Sequence, residues 1–185
     1  TVHGRKSHAG ATPELGINAI RVAAEAIAAM PLGRIDPETT ANIGIIHGGE
    51  ATNIVPDRVE MKLEARSLCD DKLARQTKAM TDAFEAAAGR HGARLDLLVD
   101  HMYSAFKVPE DAPLVRQLSD ATRAFGVEPL LISTGGGSDD NILNARGIQS
   151  VAFSTGMDKV HTVEECIDLR DMTLCADIVA RLLGL

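Results

Sequence analysis

The clearest pattern of apolar and polar positions lies in RVEMKLEAR, residues 58–66, where the two classes alternate without exception. Apolar side chains at every second position predict a β-strand with one buried face and one wet face. The segment TTANIGIIHGG, residues 39–49, predicts a second strand. Residues 1–9 and LDLLVDHMY, residues 95–103, predict two more.

Two helices are predicted between these strands. The first has Thr12 as its N-cap and Pro13 at its first position, and it runs to Met30. Its predicted apolar face consists of Ile20, Ala24 and Ile27. The second is capped by Asp70 and ends at the glycines of GRHG. The order β-α-β-β-α-β predicts a ferredoxin-like four-stranded sheet with two helices on one face, whose edges could pair with another copy.

The segment FKVPEDAP, residues 106–113, predicts a linker between two domains, residues 1–103 and 104–185. In the second domain, three predicted helices flank two predicted strands, residues 129–134 and 149–154. Strands that alternate with helices favour a parallel α/β arrangement. Two strands are too few for such a sheet to be stable by itself, so we expect this part to be the tail of a larger α/β domain.

Composition and charge narrow the class of protein. The net charge of -7 argues against nucleic acid or an anionic membrane surface as the main partner. No apolar run approaches the roughly 18 residues that span a bilayer. The three cysteines, Cys69, Cys166 and Cys175, form no C-x-x-C pair, and an odd number in a chain of this composition suggests reduced thiols and a cytoplasmic location.

A glycine-rich loop, STGGGSDDNIL, joins a predicted strand to a predicted helix. Gly135, Gly136 and Gly137 permit close approach to the backbone, and their N–H groups suit an anionic ligand. The loop lacks the lysine of a P-loop and the spacing of a dinucleotide loop. By itself it is consistent with a ligand loop, a phosphate cradle or a plain turn capped by Ser138 or Asp139. Its two carboxylates are helix caps or metal ligands.

Four further residues carry candidate chemistry. His161 lies in DKVHTVEE, a predicted loop after a parallel strand, where α/β domains place their chemistry. A histidine there suits zinc or a general base, and it also fits an exposed loop position. Each of the other three also fits a position without a functional role: His8 fits a surface histidine, Asn53 a turn residue and Arg66 an exposed strand residue. Singly, none of the four identifies a site, and one histidine cannot hold zinc, which needs three or four ligands.

Taken together and in order, four segments resemble consecutive signatures of one family. They are SHAGATPELGINAI, GGEATNIVPDRVEMKLEAR, GGGSDDNIL and GMDKVHTVEECIDL. The family is the dinuclear zinc exopeptidases of the peptidase T, carboxypeptidase G and aminoacylase type, and the chain resembles the peptidase T-like branch most closely. The resemblance covers essentially all of the chain. It implies a lid domain that forms a homodimer, and the last part of a catalytic domain that holds two zinc ions and acts on short peptides.

The resemblance also implies roles for individual residues. His161 would be a zinc ligand, and His8 would reach the neighbouring subunit's active site and stabilise the tetrahedral oxyanion. Asn53 and Arg66 would hold the backbone and the carboxylate of the substrate, and the loop of residues 135–137 would lie against it.

One departure from the family pattern is large. The family's first half carries a His-x-Asp pair, a bridging Asp and an adjacent Glu-Glu, and this sequence has none of them. We therefore expect a truncated chain of a zinc-dependent exopeptidase, inactive by itself. The alternative, from another class, is a stand-alone dimerisation or peptide-binding module without catalysis.

Overall fold

Seven strands belong to the first of two units into which the chain divides, Thr1–Ala105 and Phe106–Leu185. The computed structural model describes residues 1–185. In chain order the strands are β1 (Val2–His3), β2 (Ser7–His8), β3 (Gly33–Asp36), β4 (Thr39–Gly48), β5 (Ile54–Val55), β6 (Arg58–Ser67) and β7 (Arg94–Leu95). Five of them form one antiparallel sheet in the order β3-β4-β6-β1-β7. A separate two-stranded ribbon pairs β2 with β5.

Two helices, α1 (Ala19–Ala29) and α2 (Asp70–His91), pack against this sheet. The order of β4, β6, β1 and β7 is that of the predicted βαββαβ fold, which is confirmed. The alternation in RVEMKLEAR is also confirmed, because β6 buries Val59 completely and exposes Arg58 and Glu60.

The core lies between the sheet and the two helices and consists mainly of small aliphatic residues. Its fully or nearly fully buried members include Val2, Val22, Ala23, Ala26, Val59, Phe84 and Ala87. Alanines at the contact between α1 and α2 let the two helix backbones approach closely. Gln76 is buried in the same region, and its Nε2 donates a hydrogen bond to the carbonyl oxygen of Pro31 at 2.9 Å, which pairs one of its amide N–H groups.

The start and the buried face of α1 differ from the prediction. Residues 13–15 form a short 3-10 turn, and the α-helix begins at Ala19, where the Asn18 side chain accepts a hydrogen bond from the backbone N–H of Arg21 at 3.0 Å. Thr12 makes no side-chain cap. The predicted apolar face was wrong, because Ile20 is 43% exposed. The buried face consists instead of Ala19, Val22, Ala23 and Ala26.

Two other elements of the first unit differ from the prediction. The strand predicted over residues 95–103 is reduced to β7, because β7 pairs only with the two residues of β1. The segment after α1, for which no strand was predicted, contains a short edge strand, β3, which forms a hairpin with the start of β4. The predicted end of α2 is correct at Gly92, which adopts a left-handed conformation with φ of 65°.

The second unit contains three helices, α3 (Pro113–Arg123), α4 (Asp139–Ala145) and α5 (Leu169–Leu182), and α3 packs against α5. Its only strands are β8 (Met157–Asp158) and β9 (Cys166–Ile167), which pair antiparallel. The parallel strands predicted at residues 129–134 and 149–154 are not formed in the chain. A parallel strand requires neighbours to complete its hydrogen bonds, and these segments have none here.

Candidate functional site

The β2–β5 ribbon places His8 beside Asn53. His8 is paired with Ile54 across the ribbon, and the N–H of Ala9 donates to the carbonyl oxygen of Asn53 at 2.9 Å. Both His8 and Asn53 are exposed, and the Asn53 side chain makes no hydrogen bond within the chain. The structure therefore presents an imidazole and an amide together at the end of one ribbon.

The His8 ring is held in one orientation by its own loop. Its Nδ1 atom accepts hydrogen bonds from the backbone N–H groups of Gly10 at 3.1 Å and Ala11 at 3.0 Å. A neutral imidazole that accepts at Nδ1 carries its proton at Nε2. The loop thus leaves Nε2–H as the donor that His8 can offer to a ligand.

Arg66 lies on β6, far from this ribbon. Arg58, at the start of β6, follows shortly after β5. Arg66 lies eight residues further along the extended strand, a length on the order of 26 Å. The half-buried Arg66 donates to the Glu64 carboxylate from Nη2 at 2.9 Å and from Nε at 3.1 Å. Hydrogen bonding to Glu64 raises the pKa of Arg66 above its usual value. The structure does not bring Arg66 together with His8.

The loop of residues 135–137 is exposed and precedes α4. None of its glycines has a positive φ, and a Cβ built on Gly135 meets no atom within 4 Å. Neither backbone conformation nor internal packing therefore requires glycine at that position. Ser138 is the N-cap of α4, with a capping box in which the Ser138 N–H donates to Asn141 Oδ1 at 3.0 Å. Asp139 and Asp140 occupy the first turn, where carboxylates suit the helix dipole.

His161 lies in the exposed loop between β8 and β9. Its backbone has a φ of 67°, which is left-handed, and its N–H donates to the Glu165 carboxylate at 2.7 Å. A non-glycine residue in this region is strained, and such strain is often found at functional positions. No three His, Cys, Asp or Glu side chains are grouped closely enough to hold a metal ion. The residues of this chain therefore do not fit a zinc site by themselves.

Sequence reasoning missed the groups that hold the candidate side chains. The backbone donors of Gly10 and Ala11 could have been suspected from the small residues that follow the histidine in SHAGAT. Glu64 could have been found from the alternation of β6, since residues two apart share a face of a strand.

None of the five helices has the length and apolar composition that a membrane span needs.

The comparisons with known proteins agree with this architecture. Residues 1–92 match the family described as the peptidase dimerisation domain. The uncharacterized protein YqjE of Bacillus subtilis is 40% identical over 98% of this chain, and a succinyl-diaminopimelate desuccinylase of Methylobacillus flagellatus is 31% identical over 93%. The chain spans about half of the length of these relatives, 49% and 46%.

Two crystal structures are similar to nearly the whole chain. A tripeptidase from Staphylococcus aureus has a TM-score of 0.89 and 40% identity, and the aminopeptidase PepT from Bacillus cereus has a TM-score of 0.84 and 42% identity. Each similarity covers 98% of this chain and 48% of the other. Residues 1–92 therefore form a peptidase dimerisation domain of the M20 type, and the chain as a whole is similar to about half of each of these two peptidases.

Proposed function

We propose that the chain is part of a zinc-dependent exopeptidase that hydrolyses short peptides and acts as a homodimer. The similarity to a tripeptidase and an aminopeptidase, at 40% and 42% identity, exceeds that to the desuccinylase, at 31%. This difference supports a peptide rather than a succinylated amino acid as substrate. The three free cysteines support a reducing, cytoplasmic location.

The observation that carries the proposal is the orientation of the His8 ring. With Nδ1 occupied by the N–H groups of Gly10 and Ala11, the Nε2–H group is a donor held ready in position. A preorganised donor stabilises negative charge that develops in a transition state, because no reorganisation is needed when the charge appears. His8 would therefore stabilise the oxyanion formed when the peptide carbonyl is attacked. Asn53, on the same ribbon, would bind the substrate backbone.

Arg66 would bind the substrate carboxylate, for which a guanidinium offers two parallel donors. The separation of about 26 Å along β6 supports an arrangement in which Arg66 serves one active site and His8 serves another. In a twofold dimer, each site would then combine Arg66 of one subunit with His8 and Asn53 of its partner. The loop of residues 135–137 would lie against the bound peptide, and its exposure and open surroundings support that role.

The free edge of β4 supports dimerisation through the first unit. Strand β3 covers only residues 39–41 of β4, so residues 42–48 have no neighbour on their outer side. Ile45 and Ile46 on this stretch are 42% and 50% exposed. An apolar strand with an unpaired edge favours association with another strand, and the second copy of the chain supplies one.

Zinc would activate the attacking water and polarise the peptide carbonyl in the complete enzyme. The one candidate ligand in this chain is His161, and zinc needs three or four. What this chain contributes is thus the binding and orientation of the substrate and the donor at His8 Nε2.

Complementation between two inactive variants tests this proposal. In the complete enzyme, at substrate concentrations well below KM, His8→Ala and Arg66→Ala would each remove most activity. Mixed dimers of the two should regain about a quarter of the wild-type activity, because half of the randomly formed dimers are mixed and each has one complete site. No recovery on mixing would mean that both residues act within one subunit. Full turnover of the His8→Ala variant would contradict the oxyanion role, whereas a complete wild-type protein without peptidase activity would favour a dimerisation or peptide-binding module.

A further inference from the structure

The segment that carries His8 is closed into a compact loop by backbone hydrogen bonds. The N–H of Thr12 donates to the carbonyl oxygen of His8 at 3.1 Å, so the chain turns back immediately after the histidine. Arg5 and Ile17 then exchange two backbone hydrogen bonds at 3.0 and 2.9 Å. The Arg5 side chain adds a bond from Nε to the carbonyl oxygen of Leu15 at 2.6 Å. Residues 5–17 are thereby tied together at both ends.

Gly16 is the point of closest approach within this loop. A Cβ built on it would lie 2.5 Å from Ser7 Oγ and 2.8 Å from Val55 Cγ1, which is closer than real side chains approach. Its backbone has φ of -88° and ψ of 162°, an extended conformation that any residue adopts. Space, and not backbone freedom, therefore requires glycine here.

The two neighbours of Gly16 belong to the ribbon that presents His8. Ser7 directly precedes His8 on β2, and Val55 is the residue of β5 that pairs with Ser7. Ser7 Oγ is buried and has no hydrogen-bond partner, so its hydroxyl serves as a packing surface for the returning chain. Any side chain at position 16 would push the 3-10 turn away from the ribbon, and the turn is continuous with the loop that supplies the N–H groups of Gly10 and Ala11.

We propose that Gly16 is a positioning residue for His8. By packing without a side chain on Ser7 and Val55, it keeps the loop of residues 9–12 closed, so that the two N–H groups stay on His8 Nδ1 and Nε2–H faces the ligand. This inference rests on the proposed function of His8. It adds a specific requirement: the chain that follows His8 must return to van der Waals distance from the β2–β5 ribbon at Gly16.

The rates of amide hydrogen exchange at Gly10 and Ala11, measured by NMR on the 185-residue chain, test the packing of Gly16 against Ser7 and Val55. We expect Gly16→Ala to accelerate exchange at both amides by about tenfold or more, while the amides in the middle of α2 remain unchanged. In a Ser7→Ala/Val55→Ala background, which removes both nearest atoms, adding Gly16→Ala should accelerate exchange far less. The matched control is Gly89→Ala, since a Cβ at Gly89 meets nothing within 4 Å. Equal exchange at Gly10 and Ala11 in wild type and Gly16→Ala would overturn the proposal.

Kinetics of the complete enzyme separate this proposal from the function on which it rests. Gly16→Ala should lower kcat by about tenfold or more with little change in KM, because a transition-state contact is weakened. Suppose that His8→Ala abolishes turnover. If Gly16→Ala then shows fast exchange at Gly10 and Ala11 with an undiminished kcat, Gly16 does not position a catalytic group. Full turnover of His8→Ala would instead overturn the proposed function, while the exchange measurement would still decide whether Gly16 closes the loop.

Discussion

Arg66 and Glu64 lie two residues apart on one face of β6 and form two hydrogen bonds, at 2.9 and 3.1 Å. The pair holds the guanidinium against the sheet before any substrate arrives. It also means that a substrate carboxylate would compete with, or share, the donors that Glu64 now engages. The pair therefore sets both the position and the availability of Arg66.

Substitutions in this pair should change substrate binding in opposite directions. Arg66→Ala should raise KM by about tenfold or more, since a charge-assisted contact is worth on the order of 1.5–3 kcal/mol. Glu64→Gln should lower KM for a peptide with a free carboxylate, because the competing charge is removed. Steady-state kinetics of the complete enzyme measure both effects. The control is Arg58→Ala, which breaks the similar Arg58–Glu60 pair at the other end of β6. Equal effects of Arg58→Ala and Arg66→Ala would contradict the assignment.

The free edge of β4 predicts a weaker dimer when it carries charge. Ile45→Lys should raise the dimer dissociation constant by about tenfold or more, because an interface position that loses apolar burial costs roughly 1–3 kcal/mol. Sedimentation equilibrium measures this constant. Leu68→Lys is the matched control, since Leu68 is 37% exposed and follows β6 at its far end. A dimer unaffected by Ile45→Lys would place the interface elsewhere.

Acid should weaken the contact between α1 and α2. Glu25 accepts hydrogen bonds from His91 Nε2 and Arg90 Nε, both at 2.6 Å, and these bonds lower the pKa of Glu25 from its usual value of 4.5. A carboxylate with a lowered folded-state pKa stabilises the fold above its usual pKa, and the contribution disappears as the pH falls through the lowered value. Glu25→Gln should therefore lower the thermal midpoint by a few degrees at about pH 7, and the difference from wild type should shrink as the pH falls below 4.5.

Thermal unfolding of wild type and Glu25→Gln across this pH range measures the difference. Glu85→Gln on the exposed side of α2 controls for the loss of a charge on the same helix. A difference between wild type and Glu25→Gln that does not shrink as the pH falls below 4.5 would show that the ion pair is not its source.

Calorimetry with zinc on the 185-residue chain should detect no tight site. A single candidate ligand, His161, cannot supply the three or four donors that zinc requires. Two tight zinc ions per chain would mean that carboxylates assigned here to helix first turns, such as Asp139 and Asp140, are ligands.

The strained backbone at His161 allows its structural and metal roles to be separated. His161→Gly should stabilise the chain by roughly 1 kcal/mol, because glycine adopts the left-handed conformation without the steric cost. The same change in the complete enzyme should remove one zinc ion, as measured by metal analysis of the dialysed protein. A destabilised chain would show that the His161 side chain makes a structural contact, and an unchanged zinc content would exclude it as a ligand.

Local patterns determined much of the first unit. The alternation in β6 and the glycine at the end of α2 are properties of neighbouring residues, so they could be predicted without a structure. The start of α1 could not, because Thr12–Pro13 and Asn18 are both acceptable helix starts. Backbone bonds from Arg5 and Ile17 hold the chain between these two candidates in a different path. The prediction of strands at residues 129–134 and 149–154 was wrong for a different reason. An apolar segment forms a strand only where a neighbouring strand completes its hydrogen bonds, and the local sequence does not show whether one is present.

The sequence alone pointed to His8, Asn53, Arg66 and His161 as a set, through the order of four motifs. It could not say which of them lie together, because that depends on strand pairing between residues distant along the chain. The tertiary structure joined His8 to Asn53 across the β2–β5 ribbon and placed Arg66 eight residues along β6 from Arg58. It also supplied the backbone donors on His8 Nδ1 and the contact of Gly16 with Ser7, which arise only when the chain folds back on itself.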